Sequence, residues 1–510
     1  MDTSENAGSN TSITAPTQST DDTVHTTSRR QFLASAATLT AGAALASTGF
    51  TWYRGPTRIE RLNTDKWRQY SGMKLNCISE NTPPSSAAAA NMAAFTHLTG
   101  IKVTITQEQL GDVVEKVALD FASGRAHYQI IYADPYQILA PYYKGLVDLT
   151  RFVNNPKFPA VPGPGGIKDF IPSQFVGCSY FLDRKHIYTF PYDCPTMIWI
   201  YRKDIFNKHK AAFMKAKGYD WTPGSHLTWE QYYEIAAWIN KNLKHEVKYG
   251  TGHQAKQYDS LMCDFSNVLY AYGGKYFNGE PNPVGTIGVL NPGKCLLNSP
   301  QGLQAAEFYQ KLLRIAHPGS TSWDWSGVAE AFAAGEIAMM PEWHEFASSL
   351  ENPATSKVAG KVGFAPLPRG PKRSCNLWGG TGVGINANAH PDEQGAAYLF
   401  ILWVTSPSTE IYIAGSPVGG ETPVRTSVYN TPQIKAAEGT FSKKYPNLIA
   451  MKATLEAWKP ENIGFRPKVA TWLKLDSIIF TELSKMLAGQ QSPKTTMDKA
   501  TREFDAANHV

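Results

Sequence analysis

Between residues 74 and 133 the chain alternates strand-like and helix-like patterns at short spacing, and this restricts its fold more than any other feature. Lys74–Ser79 alternates apolar and polar side chains and runs into the turn Glu80-Asn81-Thr82-Pro83-Pro84. An alanine-rich segment then reaches Gly100, a natural helix stop. Lys102–Thr106 sets Val103 and Ile105 on one strand face, and Asp112–Ser123 sets Val113, Val117 and Phe121 on one helical side. Tyr128–Ala133 is the next strand. Neighbouring strands joined through a helix run parallel, so this order predicts an α/β fold whose sheet is mainly parallel and flanked by helices.

The alternation continues downstream. Thr196–Tyr201 reads as a strand, and Thr228-Trp229-Glu230-Gln231 as a capping box opening a helix to about Asn240. Ser299-Pro300 opens another helix, with proline where its missing N–H costs nothing. Ile337–Met340 and Val362–Leu367 read as strands, and Asp392–Thr405 as a buried helix. At 510 residues the chain is too long for one compact core and suits two or three lobes.

Composition excludes several function classes. The formal charge of +6 is small for this length and its basic residues are scattered, which argues against nucleic-acid binding. The six cysteines form neither C-x-x-C pairs nor zinc spacings. Cys77 falls in an apolar strand pattern, whereas Cys178–Cys194 and Cys263–Cys295 are conceivable disulfides. No dinucleotide, Walker, haem-attachment, zinc-protease or G-x-S-x-G motif is present, so no cofactor and no metal is expected. The 13 Trp and 24 Tyr are numerous. An aromatic face stacks on the C–H face of a sugar ring while polar edges meet hydroxyls, and packing is the competing use.

Ser28-Arg29-Arg30-Gln31-Phe32-Leu33 resembles a twin-arginine (Tat) export signal, followed by a short apolar run and Ala44-Leu45-Ala46, a cleavage site of A-x-A form. Residues 1–46 are therefore expected to be a disordered leader plus cleavable signal, read by the Tat machinery. The first cysteine is Cys77, so none follows the signal to accept a lipid. The mature protein is expected free and soluble in a bacterial periplasm.

A family resemblance accumulates along the chain. Its carriers are Phe95-Thr96-His97-Leu98-Thr99-Gly100-Ile101-Lys102-Val103, Asp120-Phe121-Ala122-Ser123-Gly124, Lys144-Gly145-Leu146-Val147-Asp148-Leu149 and Phe190-Pro191-Tyr192-Asp193. Tyr201-Arg202-Lys203-Asp204-Ile205-Phe206, Leu227-Thr228-Trp229-Glu230 and Phe332-Ala333-Ala334-Gly335-Glu336-Ile337-Ala338-Met339 continue it. In this order they resemble the extracellular solute-binding proteins (family 1) that serve ABC importers of sugars and sugar alcohols. The resemblance implies a type II periplasmic-binding-protein fold with two lobes closing over a carbohydrate, a monomer that docks on permease subunits, and no catalysis. It places lobe one at 72–190 and 362–412, lobe two at 191–361 and 413–510, and hinge strands near Tyr188–Pro191 and Lys361–Ala365. A Tat-exported glycosidase is the alternative, because acidic pairs are abundant.

Ligands of open α/β sheets bind at the carboxyl ends of strands. That rule selects Glu80 and Asn81 after the first strand, and Asp134 and Tyr136 after the third, unless these serve as caps or turn residues. The resemblance adds Tyr192 and Asp193 just past the first crossing, Tyr201 on the following strand and Trp343 after a buried strand; the polar-aromatic loop Ser322-Trp323-Asp324-Trp325 offers Trp325 as a ring platform, with packing the competing use of each. In Trp378-Gly379-Gly380-Thr381-Gly382 the glycines let backbone approach a ligand, with Trp378 and Gly379 beside it. Arg425 matches a common family position, where it either reaches ligand or ties down a loop.

Overall fold

The computed structural model describes residues 64–278, 287–416, 418 and 422–508. The segment expected to be leader and export signal, and part of the Pro/Gly-rich stretch at 279–293, lie outside the described residues.

The first strands follow the sequence pattern closely. β1 (Lys74–Glu80), β2 (Lys102–Glu108) and β3 (Ile130–Ala133) are joined through helices and pair in parallel, with Lys74 opposite Lys102 and Cys77 opposite Ile130. The alanine-rich segment forms two helices, Pro83–Ala90 and Met92–Thr99, interrupted at Asn91. Asparagine is a weaker helix former than the alanines around it; its side chain makes no cap hydrogen bond, and its N–H still donates to the Ala87 and Ala88 carbonyls. Thr82 caps the first helix by accepting from Ser85 N–H. Gly100 ends the second in the left-handed region, φ 76°, donating its N–H to the Thr96 carbonyl at 2.7 Å.

Two larger sheets result. The first has the order β2-β1-β3-β10-β4, completed by β4 (Thr189–Asp193) and β10 (Thr381–Ile385). The second contains β5 (Met197–Arg202), β6 (Tyr249–Thr251), β7 (Ile337–Trp343) and β8 (Val362–Ala365) in the order β6-β7-β5-β8. In each, one strand opposes the rest: β10 is antiparallel to both β3 and β4, and β5 to both β7 and β8. Each reversed strand is entered from the other sheet, β5 directly after β4 and β10 after β8. A small third sheet pairs β9 (Asn376–Leu377) with β11 (Ile463–Gly464) on the second of these crossings. β8, expected to open the second segment of lobe one, pairs instead with β5 through Trp199–Ala365 and Arg202–Val362. The chain therefore leaves the second sheet after Ala365.

Other local features follow the residues that predict them. The Thr228–Gln231 capping box is formed, Ser299 Oγ caps its helix, and Gln394 through Val404 are all buried in helix Pro391–Val404. The six cysteines are buried and none is in a disulfide; Cys178 and Cys194 lie with their sulfurs in contact at 3.8 Å, and Cys263 Sγ faces Asp259 Oδ2. Among the described residues no helix is long and apolar enough to cross a membrane.

The glycines of β10 and its approach serve packing. A Cβ on Gly382 would collide with the Thr189 side chain of β4, and one on Gly380 with the Trp378 ring. Gly382→Val is accordingly expected to destabilise the protein by about 1–3 kcal/mol, the usual cost of overpacking, measured by urea denaturation.

Candidate functional site

The carboxyl ends of β1, β3 and β4 deliver Glu80, Asp134 and Asp193 to one region. The matching ends in the second sheet, β6 and β7, deliver Gln254, Glu342 and Glu345. Glu80 accepts from Tyr132 Oη at 3.1 Å. Burial, then the neighbouring Asp193 charge, pushes the Glu80 carboxyl up to about 8. Burial likewise raises Asp193 to about 7, against hydrogen bonds from Thr82 and Glu345 that favour its charged form. Glu345 is raised well above the usual carboxylate range by burial and by Asp193 and Glu80. Asp193 and Glu345, one from each sheet, thus share a hydrogen bond that is favourable only while a proton lies between them. Glu342 is raised too, chiefly by burial; its Oε1 accepts from Trp343 N–H at 2.7 Å and from Gln254 Nε2 at 3.4 Å.

A second group lies beside the first. Asp134 Oδ1 caps the turn after β3, accepting from Tyr136 and Gln137 N–H at 2.7 and 2.8 Å, while its Oδ2 meets Arg466. Arg466 also meets Asp259 Oδ1, both ion pairs at 3.3 Å, and its guanidinium lies 4.1 Å over the Tyr136 ring. Asp476 is raised by burial and by Asp259. Tyr258, raised by burial, Asp259 and Glu80, packs its ring 5.2 Å from that of Trp325, and both are half-buried. This aromatic pair borders the carboxyl cluster.

The predicted residues therefore divide. Glu80, Asp134, Asp193, Trp325 and Trp343 surround the convergence, with Asn81 exposed beside Glu80. Tyr192 is buried edge-on against Tyr132, 6.1 Å between centroids. Gly379 donates its N–H to the Pro195 carbonyl, and the Trp343 ring packs against its backbone, so this glycine seats an aromatic at the crossing. Tyr136 carries Arg466 from beneath. Trp378, expected beside the ligand, is wholly buried: its indole N–H donates to Gln174 Oε1 at 2.5 Å and its ring packs on Phe465. Tyr201 lies four residues along β5 from Met197, about 13 Å at the rise of a strand, and packs over Gly363 and Phe206 away from the carboxyl end of β7.

Arg425 ties down a loop. It is fully buried and donates to the carbonyls of Thr405, Pro162 and Gly166. It also pairs with Asp169 and Glu410 and lies 3.7 Å over Phe170.

Sequence reasoning missed Glu342, Glu345, Gln254, Tyr258, Asp259 and Arg466. The strand-end rule that selected Glu80 would have reached Glu342 and Glu345, since both flank Trp343 at the end of a buried strand. Arg466 carries no such local signal.

Comparison with known proteins agrees with the two-sheet arrangement. The model of the bacterial extracellular solute-binding proteins matches residues 79–411. The chain belongs to this family. A probable amino-acid ABC transporter periplasmic-binding protein of Sinorhizobium fredii is 23% identical over 84% of this chain and 87% of its own length. A mannitol-binding protein of Pseudomonas aeruginosa is 23% identical over 67% and 72%. Among solved structures, a ribitol-bound ABC transporter solute-binding protein of Agrobacterium radiobacter superposes with a TM-score of 0.69 at 24% identity, over 85% of this chain and 98% of that one. The fold is the two-lobed type II periplasmic-binding-protein fold.

Asp193 and Glu80 bind protons more tightly in the folded protein than in an unfolded chain, where their values are about 3.8 and 4.5. Stability from their neutral forms is full below those values and is lost as pH rises through about 7 to 8. The melting temperature is expected to fall between about pH 5 and pH 8, and Asp193→Asn to flatten that slope. Arg425→Ala, by leaving Glu410 and Asp169 buried without their cation, is expected to cost about 3–5 kcal/mol in chemical denaturation.

Proposed function

We propose that this chain is the substrate-binding component of an ABC importer, capturing a sugar or sugar alcohol and delivering it to membrane permease subunits. One lobe is built on the five-stranded sheet and the other on the four-stranded sheet. The observation that carries the reading is the convergence of acceptors from both sheets: Glu80 and Asp193 from one, Glu342, Glu345 and Gln254 from the other. A polyhydroxyl ligand supplies the donors these groups lack, and hydrogen bonds to charged groups are about twice as strong as neutral ones. Because the acceptors come from both lobes, a ligand bound to all of them favours the closed form over any open one. The Trp325–Tyr258 pair offers an apolar face for the C–H side of the same ligand. The family and the mannitol- and ribitol-binding relatives support this class of ligand. The Tat-type leader supports export to the periplasm, where a free monomer would act without catalysis or cofactor.

Calorimetric titration with mannitol, ribitol, sorbitol, glucose and maltose tests the reading, with chromatography of the same mixtures. Binding without product is expected. Turnover of a glycoside would establish the rival reading, an exported glycosidase, and absence of binding across the panel would contradict the proposal. Asp193→Asn and Glu345→Gln are each expected to weaken affinity about tenfold, from a loss of about 1.5 kcal/mol per charge-assisted hydrogen bond.

A further inference from the structure

Acceptors at the junction of the two sheets lack donors. Asp193 Oδ2, Glu342 Oε2 and Glu345 Oε2 are buried and have no hydrogen-bond donor. Gln254 is 0% exposed; its amide N–H reaches Glu342 at 3.4 Å, and its own Oε1 is likewise without a donor. Arg466 pairs instead with Asp134 and Asp259, and the buried Lys468 donates to the carbonyls of Gly177 and Tyr180. None of the ion pairs among the described residues includes Glu80, Asp193, Glu342 or Glu345. Also among the described residues, no three acidic, histidine or cysteine side chains are grouped to hold one metal ion.

We infer that the ligand carries a protonated amine as well as hydroxyls, as an amino sugar or amino polyol does. The inference rests on reading the site as one for sugars and polyols. A hydroxyl brings an acceptor with each donor, so it satisfies one orphaned oxygen while adding lone pairs of its own. An ammonium brings three donors, no acceptor and the missing positive charge. Carboxyl groups held between the lobes stay ionised more readily beside such a cation, and each then accepts a charge-assisted bond. An α-amino acid fits less well, because its carboxylate would bring a further negative charge into a cluster of acids.

Titration of the full chain at pH 7 with matched pairs tests this: D-glucosamine against D-glucose, and 1-amino-1-deoxy-D-sorbitol against D-sorbitol, with L-alanine as a further probe. The amine member is expected to bind at least tenfold more tightly in one pair or both, and Glu345→Gln to reduce that preference while keeping a single cooperative melt. Glu342→Gln provides a second variant with the same expectation should the first not fold. Neutral members binding equally or more tightly would overturn the inference and leave the polyol reading standing. L-alanine binding more tightly than the amines would overturn it in favour of an amino-acid ligand. No binding by any probe to a cooperatively folded preparation would overturn both readings.

Discussion

Burying carboxylates away from cations is among the costliest arrangements a fold can hold, and Arg466 is where this chain offsets part of that cost. Its guanidinium joins Asp134, after the third strand of one sheet, to Asp259, at the head of helix Asp259–Ala271. Tyr136 supports it from below, with Trp378 and Trp472 packed against that ring. The aromatic cluster is therefore a rigid seat for a charge. Without that charge, Asp134 and Asp259 would add to the repulsion already carried by Glu80, Asp193 and Glu345. What remains uncompensated lies on the other side of the same region, at the ends of β1, β4 and β7. This uneven distribution, paired acids beside unpaired ones, distinguishes a scaffold from a site.

The topology explains why the acids meet. Each sheet is parallel except for one strand, and that strand is the one entered from the other sheet. Crossing in this way turns the carboxyl ends of both sets of parallel strands toward the junction. Side chains at those ends sit on a rigid frame, and the loops that follow need only be short. A ligand that bridges the ends couples its own binding to the relative position of the lobes, which is the physical content of capture by closure.

Much of the frame was legible in the sequence because its signals are local. Gly100, the Thr228 capping box and the Ser299-Pro300 start each act within a few residues, and alternation located β1 and β2. The break at Asn91 and the placement of Val362–Ala365 were not legible. The first has no capping side chain to announce it, and the second depends on which strand happens to lie alongside. The site was half legible for the same reason. Glu80, Asp134 and Asp193 stand beside recognisable strand ends. Tyr201 and Trp378 have the right chemistry, but direction along a strand and depth in the core are settled by tertiary packing. Arg425 shows the difference plainly: its buried partners Asp169 and Glu410 are distant in sequence, and nothing near Arg425 announces them.

The central claim is that acceptors from both sheets hold one ligand between them. A crystal structure of the complex with the tightest-binding compound from the panels tests it most directly. The account predicts ligand donors at about 3 Å from Asp193 on one sheet and from Glu342 or Glu345 on the other, in a single binding pose. A ligand contacting the ends of one sheet alone, or seated away from both, would contradict it.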